Sequence, residues 1–229
     1  MMILNIETSS KKCSVALSHE GDICFYLESE NEMDHSTQLA PYVEQCVKEL
    51  SKRDLQLDAV AVSMGPGSYT GLRIGLSLAK GLCFGLKIPL IGISTLKILA
   101  VKAMFNSDSF IEGILYIPMI DERRMEVYTA VYNNALETLL HPTPLILEES
   151  SYGDFASYPV IVIGDAVEKA MKILKINVLK WIECYPKASD MIALSEKAFR
   201  EKDFIDIAYS TPFYLKNFQA TTPKKNIIC

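Results

Sequence analysis

Ile3-Leu-Asn-Ile-Glu-Thr-Ser-Ser-Lys-Lys-Cys-Ser-Val-Ala-Leu17 and Ile114-Leu-Tyr-Ile-Pro-Met-Ile-Asp-Glu-Arg-Arg-Met-Glu-Val-Tyr-Thr-Ala-Val131 are the two stretches that decide the fold. Each opens on an apolar, β-branched run, passes through a polar turn, and continues in a second alternating run. That pattern predicts a strand, a turn and an antiparallel partner. Identity between the two is loose, but hydrophobic pattern and spacing agree, and a weak repeat of this kind predicts two related lobes. The polar, turn-rich Phe105-Asn-Ser-Asp-Ser109 separates them, giving lobes at 1–108 and 109–229, the second with its own elements beginning near Glu112.

Working outward, Ile23–Leu27 follows the turn His19-Glu-Gly-Asp22 as a third strand. A helical period then places Leu39, Val43, Cys46, Val47 and Leu50 on one face. Asp34 or Ser36 is positioned to cap that helix, and Pro41 is tolerable near its first turn. Next come a short strand (Ala59–Ser63), a glycine-rich turn, a helix to Leu86, a strand (Ile88–Ile93), and a helix from Ser94 or Thr95. Later, Pro159–Gly164 reads as a strand ending in Gly164-Asp165, where a helix can begin. A last helix from about Ser189 to Lys202 offers Ile192, Ala193, Ala198 and Phe199 for burial, and Thr221–Cys229 reads as a frayed tail. Crossover helices require parallel neighbours and hairpins do not, so each lobe is expected to be α/β: a mixed sheet flanked by helices.

With 229 residues, 49% apolar and 22% charged, the chain easily buries a core, and wholesale disorder is excluded. No apolar run approaches the roughly 20 residues that span a bilayer, so no membrane association is expected. The opening Met1–Lys12 lacks a basic segment before its short apolar stretch, and Glu7 interrupts it; a signal peptide is not expected. Cys13, Cys24, Cys46, Cys83, Cys184 and Cys229 lie far apart without a CxxC pair, which favours reduced thiols in a cytoplasmic protein. A net charge of −5 weighs against a broad basic face for nucleic acid.

Residues able to carry chemistry are few. His19, His35 and His141 include no HExxH, and the residue four after His35 is Leu39, so no metal site is expected. No GxSxG elbow exists, and Asp121-Glu-Arg-Arg124 reads as a solvated turn. Gly65-Pro-Gly-Ser-Tyr-Thr-Gly-Leu-Arg-Ile-Gly75 could offer amides to an anion. Its GxGxxxG spacing fits neither phosphate-loop template, however, so a tight strand-to-helix turn is the favoured reading. In the helix that follows, only Arg73, Ser77 and Lys80 are strongly polar and they share one stripe. A helix so apolar must be covered on its outer face as well. Gly71, Gly75 and Ala79, four apart, would form a groove for close helix approach. Two covers stand open: the chain's own Leu39-Val43-Val47 helix, or a partner protein. The predicted partner patch is Leu39, Val43, Val47, Gly71, Ile74, Gly75, Leu78, Ala79 and Leu82. On that reading Gly75→Arg breaks association and leaves the fold intact.

The turn from Glu7 to Lys12 resembles the first phosphate hairpin of the actin, Hsp70 and sugar-kinase superfamily, in which an Asp opens the loop and a Gly lets a phosphate approach. Glu7 and Ser9 stand in those places and crowd a nucleotide, so Glu7, Ser9, Ser10, Gly164 and Asp165 mark at most a relict nucleotide pocket. Taken together, six stretches resemble the TsaB (YeaZ) family. They are Cys13–Leu17 after the first strand, His35-Ser36, Gly65–Gly75, Ile88–Leu96, Ile120–Tyr128 and Pro212–Asn217. They run in order along nearly the whole chain; Asn133–Pro186 agrees in pattern only, and Glu7 and Met125 replace the usual Asp and Gly. The resemblance implies two actin-like (ASKHA, ribonuclease H-like) lobes. It also implies a non-catalytic scaffold for the transferase TsaD in forming N6-threonylcarbamoyladenosine at position 37 of tRNA. The TsaD contact would run through the helices after the third and fourth strands, with the ATPase TsaE docking on the pair. A homodimer when TsaD is absent, tRNA reached only through the complex, no cofactor and no catalytic residue complete the implication. The relative's HxxxH metal pair is here His35-Ser-Thr-Gln-Leu39, so its second ligand is missing. The alternative is a nucleotide-binding, kinase-like enzyme of the same superfamily, for which only Gly164-Asp165 speaks.

Overall fold

The computed structural model describes residues 1–32, 34–106 and 111–215. The expected lobe boundary at 108, the end of the Pro212–Asn217 stretch and the tail at Thr221–Cys229 lie outside them. Two five-stranded sheets form, and both have the same order. In the first, β3 (Asp22–Glu28), β2 (Ser14–His19), β1 (Met2–Glu7), β4 (Ala59–Gly65) and β5 (Leu90–Ser94) lie side by side. β1 is antiparallel to β2 and parallel to β4. In the second sheet β8 (Thr138–Ile146), β7 (Glu126–Tyr132), β6 (Leu115–Asp121), β9 (Val160–Gly164) and β10 (Val178–Glu183) repeat that arrangement, with β6 in the place of β1. The repeat quoted above is therefore structural, and the two lobes have the expected actin-like α/β architecture.

β1 is buried at every position, on both faces, as a central strand must be. Met2, Leu4 and Ile6 enter the core beneath α1 (His35–Lys52) and α2 (Tyr69–Leu86), with Leu39, Val43, Cys46, Leu76 and Cys83. Ile3 points the other way, to a layer with Ala59, Ala61, Ile91, Ile98, Met191 and Ala198. That layer holds α3 (Thr95–Phe105) and α5 (Ile192–Glu201), so a helix from late in the chain packs on the first sheet. α3 also packs on the second sheet, through Leu96, Leu99, Ala100 and Ala103 against Ile114, Tyr116 and Tyr132. Its all-round apolar surface is that of a helix buried on two sides. α4 (Val167–Met171) closes the far face of the second sheet with Val167 and Ala170.

Several local expectations change. β5 begins at Leu90 rather than Ile88. Pro41 sits in the second turn of α1 on its exposed side, and Asp34 caps with its backbone carbonyl, its side chain making no cap bond. On α5, Ala193 is exposed and Glu196 is buried instead, its Oε1 accepting the Gly21 amide of the β2–β3 turn and its Oε2 pairing with Arg200 at 3.1 Å. β8 and β10 were not anticipated. Both are edge strands, which need pair on one side only and so tolerate the Pro142 and Pro144 of one and the mixed Lys-Trp-Ile-Glu run of the other.

Candidate functional site

The ends of β1 and β4 bring the glycine-rich turn against the first hairpin. The Ser68 amide donates to Ser9 O at 2.7 Å, and Ser68 Oγ accepts from the Gly71 amide at 3.2 Å as the cap of α2. A Cβ on Gly67 would lie 2.3 Å from Ser9 O, one on Gly71 2.1 Å from Thr8 O, and one on Gly75 2.3 Å from Thr8 Oγ1. These three glycines let the loop and helix rest directly on the hairpin backbone. The Ser68 and Gly71 amides are thus directed to the chain's own oxygens.

The expected partner patch needs correction here. Gly71, Gly75 and Ala79 are buried against the hairpin and sheet, and Leu39 and Val43 lie in the core beside Leu76 and Cys83. Spacing of four put the small residues on one face, and that face is the inner one. Gly75→Arg therefore cannot leave the fold intact. The outer face of α2 is different in composition. Ile74, Leu78 and Leu82 are half-buried, Val47 on α1 is exposed, and Phe84 is 79% exposed. Gly81 and Gly85 have nothing within 4 Å of a Cβ, so the open glycines lie ten residues, nearly three turns, beyond Gly71 and Gly75.

The polar stripe of α2 is also occupied from within. After α5 the chain returns across the first lobe, Ile205 N donating to Leu90 O at 2.9 Å and Phe213 N to Met64 O at 2.7 Å. Arg73 Nε donates to Tyr214 Oη at 2.9 Å and its guanidinium stacks 3.9 Å from the Tyr69 ring. Lys80 Nζ donates to Ala208 O and Ser210 O at 3.1 and 2.7 Å. The course of this return segment was not expected, although Pro212–Asn217 within it stood out by resemblance.

Glu7, Ser9 and Ser10 stand at the end of β1 and in the turn after it, and Gly164 and Asp165 stand at the end of β9. Glu7 is fully buried, and desolvation pushes its pKa up to about 7 against opposing hydrogen bonds from Ser9 and Ser63. Its Oε1 accepts the Ser9 amide at 2.5 Å. Ser10 Oγ donates to Lys12 O at 3.1 Å. Gly164, at φ +133°, would place a Cβ 1.9 Å from Met119 O, so only glycine lets β9 end there. Asp165 Oδ1 accepts the Asp121 amide at 2.7 Å; burial raises its pKa while Lys11, on the opposite hairpin, pulls it down. Lys169 fills the second hairpin turn, its Nζ donating to Glu122 O, Arg124 O and Glu126 O and pairing with Asp121. Each hairpin turn is filled by groups of the chain itself. His35 Nε2 lies 3.0 Å from Ser10 O, burial lowers its pKa, and Leu39 one turn on is in the core. Among the described residues no three His, Cys, Asp or Glu side chains gather as a metal ion requires, and no helix is long and apolar enough to cross a membrane.

A strap from β10 to α5 pins the lobes together. Lys102 Nζ donates to Tyr185 O and Asp190 Oδ2, both at 2.9 Å, Lys187 pairs with Glu28 at 2.8 Å, and the Ala188 amide donates to Ser14 Oγ at 2.9 Å.

Known proteins agree with this architecture. The family model described as "TsaD: tRNA N6-adenosine threonylcarbamoyltransferase" matches residues 29–224. The chain is 38% identical over 199 residues to the tRNA threonylcarbamoyladenosine biosynthesis protein TsaB of Buchnera aphidicola subsp. Schizaphis graminum, covering 83% of this chain and 91% of that protein. It is 28% identical to the TsaB of Escherichia coli over 95% of both chains. The solved structure of YeaZ from Pseudomonas aeruginosa superposes with a TM-score of 0.74 at 26% identity, covering 93% of this chain and 99% of that one. The chain thus belongs to the family that the model describes, and its relatives place it among the TsaB (YeaZ) proteins.

Proposed function

We propose that this protein is a non-catalytic, scaffolding subunit in the biosynthesis of N6-threonylcarbamoyladenosine at position 37 of tRNA, working in the cytoplasm. TsaB-named relatives aligned along almost its whole length carry the reading. In it the chain binds a TsaD-type transferase, TsaE docks on the pair, and tRNA is engaged within that complex. The partner surface lies in the first lobe, residues 1–108, on the outer face of α2 with the adjoining edge of α1: Val47, Ile74, Leu78 and Leu82 around the open Gly81 and Gly85. Half-buried aliphatics beside bare glycines suit close packing of a foreign helix. The same face can pair with a second copy when the transferase is absent.

The filled hairpin turns support a scaffold over the kinase-like alternative. A nucleotide's phosphates would have to displace the Ser68–Ser9 contact in one lobe and the Lys169 ammonium in the other. Isothermal calorimetry of the pure chain with ATP and magnesium is expected to give no saturable heat. The isolated chain given tRNA, threonylcarbamoyl-adenylate and metal is expected to form no product. Stoichiometric nucleotide binding together with turnover would return the kinase-like reading.

A further inference from the structure

Resting on the tRNA-modification reading and going beyond it, we propose that the return segment and the first turns of α2 form a stacking platform for single-stranded RNA. Composition first sets this region apart. In a chain of net charge −5, residues 207–215 contain no Asp or Glu and three aromatics (Tyr209, Phe213, Tyr214). The fold then shows how the aromatics are presented. Tyr209 is 86% exposed, and Phe213 and Tyr214 are also exposed, although each is large and apolar enough to favour burial. Their backbone is not free: the Phe213 amide is bonded to β4, and Lys80 holds the carbonyls of Ala208 and Ser210.

The rings are therefore held outward on an anchored segment. Tyr69 and Tyr214 have centroids 5.0 Å apart, and Arg73 lies against both, 3.9 Å from one ring and 5.8 Å from the other. The guanidinium is exposed and charged at every physiological pH. The nearest carboxylate along the segment, Asp206, is spent on the amides of Ala208 and Tyr209 at 2.7 and 2.6 Å. Exposed rings interleaved with fixed cations, without acidic neighbours in the segment, match what unpaired bases and their phosphates require. Duplex RNA offers no free base faces to such rings, so the ligand class is the single-stranded part of a structured RNA.

The test is fluorescence anisotropy of a labelled single-stranded oligoadenylate titrated with the full chain alone. Weak, saturable, salt-sensitive binding is expected. Tyr209→Ala, at a side chain that is 86% exposed, should weaken it about fivefold or more. Arg73→Gln should weaken it and reduce the salt slope by roughly 0.7. A thermal melt of each variant confirms folding. No binding by the wild-type chain, or unchanged affinity in both variants, would overturn the platform. So would variants that keep RNA affinity but lose a TsaD-type partner, which would assign the surface to protein contact. None of these outcomes alters whether the unmodified chain associates with that partner, so the platform can fail while the scaffold reading stands.

Discussion

Gly71→Ala should destabilise the protein by about 2–4 kcal/mol, while Gly81→Ala, ten residues along the same helix, should stabilise it by about 0.5–1 kcal/mol. Both substitutions gain the same helical propensity, since alanine loses less backbone freedom on folding than glycine. What differs is the space. At Gly71 the new methyl would sit 2.1 Å from Thr8 O, a main-chain atom at the buried end of the central strand, with Ser68 Oγ and the His35 ring at 3.1 and 3.3 Å. Nothing there is a flexible tip that can swing aside, so α2 must lift from the hairpin. At Gly81 there is no atom within 4 Å. Urea denaturation of the two variants beside the wild type measures the contrast. Similar shifts of the same sign would mean that α2 is turned differently on the sheet.

Glu7→Gln should stabilise the protein by about 2–3 kcal/mol at pH 8 and by little at pH 5. Glu7 is fully buried, and burial pushes its pKa up from 4.5 to about 7. A carboxyl raised on folding favours the protonated form in the native state. Its contribution is thus fully present below pH 4.5 and is lost as the pH climbs through about 7. At roughly 1.4 kcal/mol per unit, the loss amounts to about 3 kcal/mol. Glutamine keeps the oxygen that accepts the Ser9 amide and removes the ionisation. The measurement is chemical denaturation of wild type and variant across pH 5–8. A gain of equal size at both ends, or a loss at pH 8, would contradict a buried, reluctant carboxylate.

The fold was legible because its signal is local and repeated. The apolar run Ile3–Glu7 with its alternating partner, echoed in Ile114–Ile120 and Glu126–Val131, fixes two hairpins, and the glycine turn opens the β4–α2–β5 crossover. The edge strands β8 and β10 were not legible, since one-sided pairing leaves no demand for a continuous apolar pattern. Glu7, Ser9 and Ser10 stood out by their resemblance to a phosphate hairpin, but the group that fills the second hairpin turn did not. Lys169 lies some forty residues from the carbonyls it holds, and no period links them. Leu39, Val43, Gly71, Gly75 and Ala79 of the expected patch face inward, and the reason is rotational. A helix apolar on most of its circumference does not say which glycine row faces the sheet, and only Thr8 in three dimensions separates Gly71 and Gly75 from Gly81 and Gly85. Arg73 and Lys80 looked like the edge of an interface because their partners, Tyr214 and the carbonyls near Ser210, come from the far end of the chain.

The scaffold account stands most directly on the outer face of α2, and Gly81→Arg tests it. Gly81 has open space around it, so the variant should melt within a few degrees of the wild type. Size-exclusion chromatography with a TsaD-type transferase from the same source should show the wild-type chain eluting with its partner and Gly81→Arg eluting alone, because a charged side chain is then forced into a close helix contact. A well-folded Gly81→Arg that still elutes with the transferase, or a wild-type chain that never does, would contradict it.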